Sequence, residues 1–198
     1  MKNDLPADLV IVEDWESPLW RINNIYTIVN DKGELIPFRL NDEQRRLYEN
    51  LWYWNIILKA RQMGFTTAID IFALDQCLFT PSFRAGIIAQ TEPDVLKLFK
   101  NKIKKPYDLL PQGLRDKIGL KSNNATSMEF GNGSSIQVGM SMRSDTLQFL
   151  HVSEFGKICA KAPERAREIV TGAFETLAVG NIGFIESTAE GESGYFYQ

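Results

Sequence analysis

Histidine and cysteine are nearly missing from this chain of 198 residues, which has one of the first and two of the second. The lone histidine, His151, excludes a multi-histidine metal site or relay, and serine–histidine catalysis would have to use that one residue. Cys77 and Cys159 lie far apart with no Cys-x-x-Cys spacing, so neither a zinc site nor a disulfide framework is indicated. Buried thiols of a cytosolic protein are expected instead. No apolar run reaches membrane-spanning length, and Met1-Lys2-Asn3-Asp4 does not open a signal-peptide core. An excess of basic charge is missing too. The net charge of -3 argues against coating nucleic acid by bulk charge, while leaving room for a local basic surface. There are no internal repeats and no low-complexity tracts. What remains is ordinary globular composition, 44% hydrophobic and 24% charged, enough for one domain with a real core.

Along the chain, residues 1–40 form an N-terminal extension in which Tyr26-Thr27-Ile28-Val29 and Glu34-Leu35-Ile36-Pro37-Phe38 make a hairpin across Asn30–Gly33. Asn41 caps a helix with Gln44 at its third position, and Leu47, Leu51 and Trp54 supply the apolar stripe. Asn55–Lys59 reads as a buried strand, followed by a helix carrying Ile69, Phe72, Ala73 and Cys77 inward. Arg84–Gln90 is a second buried strand, and Glu92–Lys105 a helix with Val95, Leu98, Phe99 and Ile103 inward. A loop region is expected around Pro106, Pro111 and Gly113. Ser127–Phe130 and Ser135–Met140 alternate around Gly131-Asn132-Gly133 as a hairpin. Leu147–Val152 is a strand, Pro163–Ala178 a helix and Asn181–Glu186 a last strand. Strands alternating with helices imply an α/β domain over residues 41–198, with a mainly parallel sheet flanked by helices. Ligands of such sheets sit beyond the carboxyl ends of the strands, which puts Lys59–Thr67, Gln90-Thr91, Ser153-Glu154 and Ser187-Thr188 on one rim.

Two of these rim segments carry chemistry. In Lys59-Ala60-Arg61-Gln62-Met63-Gly64-Phe65-Thr66-Thr67 a strand enters a basic, glycine-containing turn that opens a helix, the outline of a phosphate-binding loop. Backbone N–H groups around Met63–Thr67 would face an anion, Gly64 permits close approach, and Thr66 or Thr67 would offer a hydroxyl to Mg²⁺. Phe65 stands where a lysine is expected, so the charge has to come from Lys59 or Arg61. The plainer alternative is a strand–turn–helix junction with no ligand. The second segment is Phe149–Glu154, an apolar strand ending in an acid, which suits Glu154 as the base that polarises an attacking water. Ser153 occupies a position where aspartate is commoner and would touch Mg²⁺ weakly or through water. Standing alone, Glu154 would be a solvated strand-end carboxylate. Lys97, Lys100, Lys102, Lys104 and Lys105 read as a solvated surface, and Trp15, Trp20, Trp52 and Trp54 as packing residues.

The ordered set of Gln44, the Ala60–Thr67 loop, His151-Val152-Ser153-Glu154-Phe155 and Ser187-Thr188-Ala189 resembles the large terminase subunits, the DNA-packaging motors of tailed bacteriophages. The resemblance spans residues 40–190 and implies a P-loop NTPase of the ASCE type. It puts the essential lysine at the front of the loop, at Lys59, with Arg61 as the loop arginine that contacts phosphate. Gln44 resembles the glutamine that reads adenine, Glu154 the catalytic glutamate, and Ser187-Thr188 the coupling motif that senses the γ-phosphate. Arg143 lies where an arginine of this family acts in trans on the neighbouring subunit's ATP. The implied cofactors are ATP and Mg²⁺. The implied partners are double-stranded DNA, the portal protein and the small terminase subunit, in a homo-oligomeric ring in the host cytoplasm, the isolated domain being monomeric. The family's C-terminal nuclease domain is absent, so no DNA cleavage is expected of this chain, and its ending at Tyr195–Gln198 reads as a cut in a longer protein. Two other readings stand beside this one. One is a nucleotide-binding or assembly module that has lost catalysis, favoured by Phe65 and Ser153; the other is a helicase-like DNA-dependent ATPase.

Overall fold

Apolar residues recur with period two in the strands of this protein and with helical period between them, and both patterns converge on one sheet. The computed structural model describes residues 15–30, 32–142, 146–191 and 194–198. Helix α1 (Pro18–Asn24) leads into a small hairpin, β1 (Thr27–Val29) with β2 (Leu35–Pro37). Helix α2 (Asp42–Glu49) starts on a complete capping box between Asn41 and Gln44. Next come β3 (Trp54–Leu58), the long helix α3 (Phe65–Phe79) and β4 (Arg84–Ile88). Helix α4 (Glu92–Leu98) runs through a π-helical segment (Phe99–Lys104) into α5 (Lys105–Asp108), followed by α6 (Gln112–Ile118). The chain closes with β5 (Leu120–Asn123), β6 (Ser127–Phe130), β7 (Ser135–Gly139), β8 (Leu147–Ser153), α7 (Phe155–Lys161), α8 (Pro163–Glu168) and β9 (Leu177–Ser187).

Seven strands form the main sheet in the order β3-β9-β8-β4-β7-β6-β5. From β3 to β7 the pairs are all parallel, and β6 and β5 are added antiparallel at one edge. The last strand in sequence, β9, is therefore inserted between the loop-bearing β3 and the acid-bearing β8, which brings three carboxyl ends side by side. Alternation then sorts side chains by face. Phe149 and Phe184 pack with Phe72 of α3 on one face, ring centroids 5.5 to 6.3 Å apart. Leu150, Val152 and Ile185 pack with Phe155, Ile158 and Ile169 on the other. Ile22, Tyr26, Phe38 and Leu40 of the first 40 residues belong to the α3-side core, and a buried Arg21–Asp75 ion pair of 2.6 Å pins α1 to α3. Cys77 and Cys159 are free and buried, as expected.

Several expectations are corrected. Helix α2 ends at Glu49, where Asn50 leaves helical geometry, so Leu51 lies beyond it and Trp54 opens β3. Strand β3 is not buried: it ends the sheet order, and Ile56 and Leu58 on its α7-side face are 68% and 69% exposed. Trp54, on that same face, lies across Gly183 and against Phe174. The stretch around Pro106 is helical, because the proline sits in the first turn of α5, after a π turn that already departs from i→i−4 bonding. The helix expected over 163–178 is α only to Glu168, then π and 3₁₀, with Leu177 already in β9. Helices α1, α6 and α7 and strand β5 are additional elements.

Candidate functional site

Lys59 continues the β3 alternation that turns Asn55 and Ile57 toward α3, so its side chain enters the protein beneath the loop. It is 8% exposed, and its ammonium lies 3.1 Å from Thr66 Oγ1, 2.7 Å from Glu186 Oε2 and 3.5 Å from Glu154 Oε1. The loop turns on Gln62 and Gly64, both left-handed, with φ of 66° and 71°. Helix α3 then begins without a side-chain cap, its first intrahelical bond running from Ala68 N–H to Gly64 O. The N–H groups of Phe65, Thr66 and Thr67 precede that bond, and together with the helix dipole they make the end of α3 attractive to an anion. Phe65 is 7% exposed and belongs to the α3-side core, so the residue standing in the lysine position anchors the helix instead of facing a ligand.

Glu154 follows β8 in left-handed backbone, φ 56°, at the start of α7. Its side chain is a quarter exposed, and the carboxylate is held by Lys157 at 2.7 Å as well as by Lys59. Left-handed geometry is costly for a glutamate and marks the kind of position where strain serves a site. Ser153, one residue earlier, points inward and donates its hydroxyl to Glu186 Oε1 at 2.8 Å. Beneath these groups lies a buried string of charge running from Asp70 through His151 to Glu186. His151 Nδ1 is 2.8 Å from Asp70, and Nε2 is 3.5 Å from Glu186. Burial opposes charge on His151, but Asp70 and Glu186 outweigh it and raise the imidazole to about 9. Burial would likewise raise Glu186, yet His151 and then Lys59 hold its carboxyl down at about 2.

A cleft of about 880 Å³ opens over this cluster. Lys59, Gln62, Gly64, Thr66, Ser153 and Glu154 line its floor, while the β1–β2 hairpin, with Arg39 and Asn41, lines the far wall. Gln44 is on the same wall but is committed to the protein: it caps Asn41 and donates to Met63 O at 3.0 Å. Arg61 is exposed and Ala60 beside it also faces solvent. Lys97 and Lys102 of the lysine cluster line the cleft, Lys102 reaching Thr67 Oγ1 at 2.8 Å, so this part of the cluster is not simply solvated surface. Ser187 is buried on the opposite face of β9, against Gly156 of α7, and Thr188 meets Glu190. Ser187 thereby contacts the helix that begins at Glu154, and its backbone O accepts from Lys59 N–H at 3.0 Å. Arg143 lies outside the described residues.

Sequence reasoning missed Glu186 and Asp70. Each had a signal: a carboxylate in an apolar strand, Phe184-Ile185-Glu186, and another in an apolar helix, Ile69-Asp70-Ile71. Both are fully buried and face each other across His151. Among the described residues no group of three or more His, Cys, Asp and Glu could hold a metal by itself. The oxygen donors that line the cleft, the Thr66 hydroxyl and the Glu154 carboxylate, fit Mg²⁺, which keeps water ligands and shares its site with substrate phosphates.

No family model and no curated protein matches the sequence. Solved structures do. The large terminase of bacteriophage HK97 superposes with a TM-score of 0.70 at 15% identity, over 90% of this chain and 39% of that one. The large-terminase ATPase domain of Thermus phage P74-26 superposes with a TM-score of 0.56 at 17% identity, over 86% of this chain and 73% of that one. The fold is that of the large-terminase ATPase domains, and the chain spans well under half the length of the HK97 protein.

Proposed function

We propose that this domain is the ATPase of a viral DNA-packaging motor, with ATP hydrolysed in the cleft above Lys59. The observation that carries the reading is the convergence of Lys59, Thr66 and Glu154 at the mouth of an uncapped helix, on the strand-end rim of a large-terminase fold. The triphosphate takes the N–H groups at the start of α3 and the Lys59 ammonium, and the nucleoside extends toward the hairpin wall with Gln44. Mg²⁺, when bound, supplies positive charge to the phosphate oxygens near Thr66. Glu154 orients a water and takes its proton as the water oxygen bonds to the γ-phosphorus and the bond to the β-phosphate oxygen breaks. Lys59 and Lys157 both hold the glutamate, so a phosphate that draws Lys59 to itself leaves Glu154 paired with Lys157 alone.

Ser187-Thr188 supplies the coupling: Ser187 touches α7 at Gly156, two residues after Glu154, so a shift in the glutamate is felt by β9. Arg143 serves a neighbouring subunit in a homo-oligomeric ring, and the work is delivered to double-stranded DNA alongside a portal and a small terminase subunit. Hydrolysis is slow in the isolated chain and stimulated by assembly. Fluorescence titration with a non-hydrolysable ATP analogue tests the site. Lys59→Ala should raise Kd about 10- to 100-fold, the cost of one charge-assisted phosphate contact, whereas Arg61→Ala should have the smaller effect. A Lys59→Ala chain that binds as tightly as wild type removes the lysine from its role.

A further inference from the structure

A serine where a metal-organising acid is expected leaves the end of β8 without a second carboxylate, and the adjacent strand supplies one. Glu186 Oε1 accepts the Thr66 hydroxyl at 2.7 Å and the Ser153 hydroxyl at 2.8 Å, while Oε2 lies 2.7 Å from the Lys59 ammonium. The side chain is fully buried and reaches neither solvent nor the cleft lining. We propose that Glu186 replaces the missing strand-end aspartate: from β9 it takes the Thr66 proton, so that the hydroxyl keeps a lone pair for the cleft side and can ligate a nucleotide-bound divalent cation. This rests on the ATP-site reading given above.

The chemistry follows from the donor directions. A threonine hydroxyl has one proton and two lone pairs. With the proton committed to Glu186, one lone pair takes Lys59 and the other stays available on the cleft side. Ser153 carries no charge and cannot hold the proton of Thr66 against a cation, but its own hydroxyl fixes the carboxylate that does. His151, pinned by Asp70, approaches the same carboxylate from below at 3.5 Å, so Glu186 is held by cations on two sides and by hydroxyls on a third. Glu186 is thus a positioning residue, acting through Thr66 and Lys59. Groups of this kind behind a ligand change metal affinity by about 10- to 100-fold when removed.

The test uses the full chain and a non-hydrolysable ATP analogue, titrated with Mg²⁺ and, separately, in EDTA. Glu186→Gln should weaken the apparent Mg²⁺ affinity of the nucleotide complex about 10- to 100-fold. Its EDTA affinity should be kept or tightened, because Lys59 is released toward the phosphates. Adding Ser153→Asp to Glu186→Gln should restore the Mg²⁺ affinity by returning the carboxylate to β8, an effect that a merely structural role for Glu186 does not produce. Glu186→Asp covers the case of a Gln variant that does not fold: it keeps the charge beside Lys59 and His151 but withdraws the carboxylate from both hydroxyls, and the same loss is expected. Wild-type Mg²⁺ affinity in either single variant, or a double variant no better than Glu186→Gln, overturns the assignment while leaving the ATP site standing. Failure of the wild-type chain to bind the analogue at all, with or without Mg²⁺, overturns the ATP-site reading itself.

Discussion

Phe65 and Lys59 stand at opposite ends of the loop and are buried for different reasons. The lysine comes from the strand side and lies under the loop, while the phenylalanine becomes a core anchor for α3. Restoring the standard residue should therefore harm the protein. Phe65→Lys removes a buried ring and buries an ammonium, and should cost at least about 3 kcal/mol in chemical denaturation without improving nucleotide affinity. The buried charges beneath the loop make a second prediction at this scale. His151 is raised to about 9 from an ordinary value of 6.5, so its stabilising contribution is complete below pH 6.5 and is lost as pH rises through about 9. Glu186 is depressed to about 2 from 4.5, so its contribution is present above pH 4.5 and is lost as pH falls toward 2. Thermal midpoints should then be highest between pH 4.5 and 6.5, and His151→Gln should flatten the alkaline fall. An alkaline slope unchanged in that variant would contradict the assignment of the charged imidazole. At this scale the sequence was partly legible. Type and spacing offered Lys59 or Arg61, Thr66 or Thr67, and Glu154, but not Glu186 or Asp70, because a buried acid declares its role only through a partner such as His151, 81 residues from Asp70 along the chain.

Strand order is what turns separate motifs into one site. Parallel strands with alternating faces were readable from the apolar runs and from the polar residues at their ends, as in Gln90, Ser153-Glu154 and Ser187-Thr188. Which strand lies beside which was not, since β9 is inserted between β3 and β8 by pairing over long sequence separation. The same limit explains β3, whose residues Trp54-Asn55-Ile56-Ile57-Leu58 look like a central strand but stand at the sheet edge. A close packing contact keeps this edge in place. A Cβ at Gly183 would come within 2.4 Å of the Trp54 ring, so Gly183→Ala should cost about 1–3 kcal/mol, measured by urea denaturation. Combining it with Trp54→Ala should cost less than the sum of the two single changes, since the ring that blocks the methyl is gone. Full additivity would mean that Trp54 does not lie on Gly183.

For the whole molecule, the cleft joins the strand-end cluster to a hairpin from the first 40 residues, so the N-terminal extension contributes a wall of the candidate site as well as part of the α3-side core. The fold is shared with large-terminase ATPase domains at 15–17% identity, a level at which architecture persists and individual roles have to be tested residue by residue. The loss-of-catalysis alternative rested on Phe65 and Ser153, and both have a structural explanation that leaves Lys59, Thr66 and Glu154 together over the cleft floor. The role of Glu154 is the claim on which the motor reading depends. Its most direct test is steady-state phosphate release, with and without double-stranded DNA, for wild type and Glu154→Ala at matched nucleotide occupancy. The account predicts a fall of about 10²- to 10⁴-fold with ATP binding retained, whereas equal rates in the two proteins would contradict it.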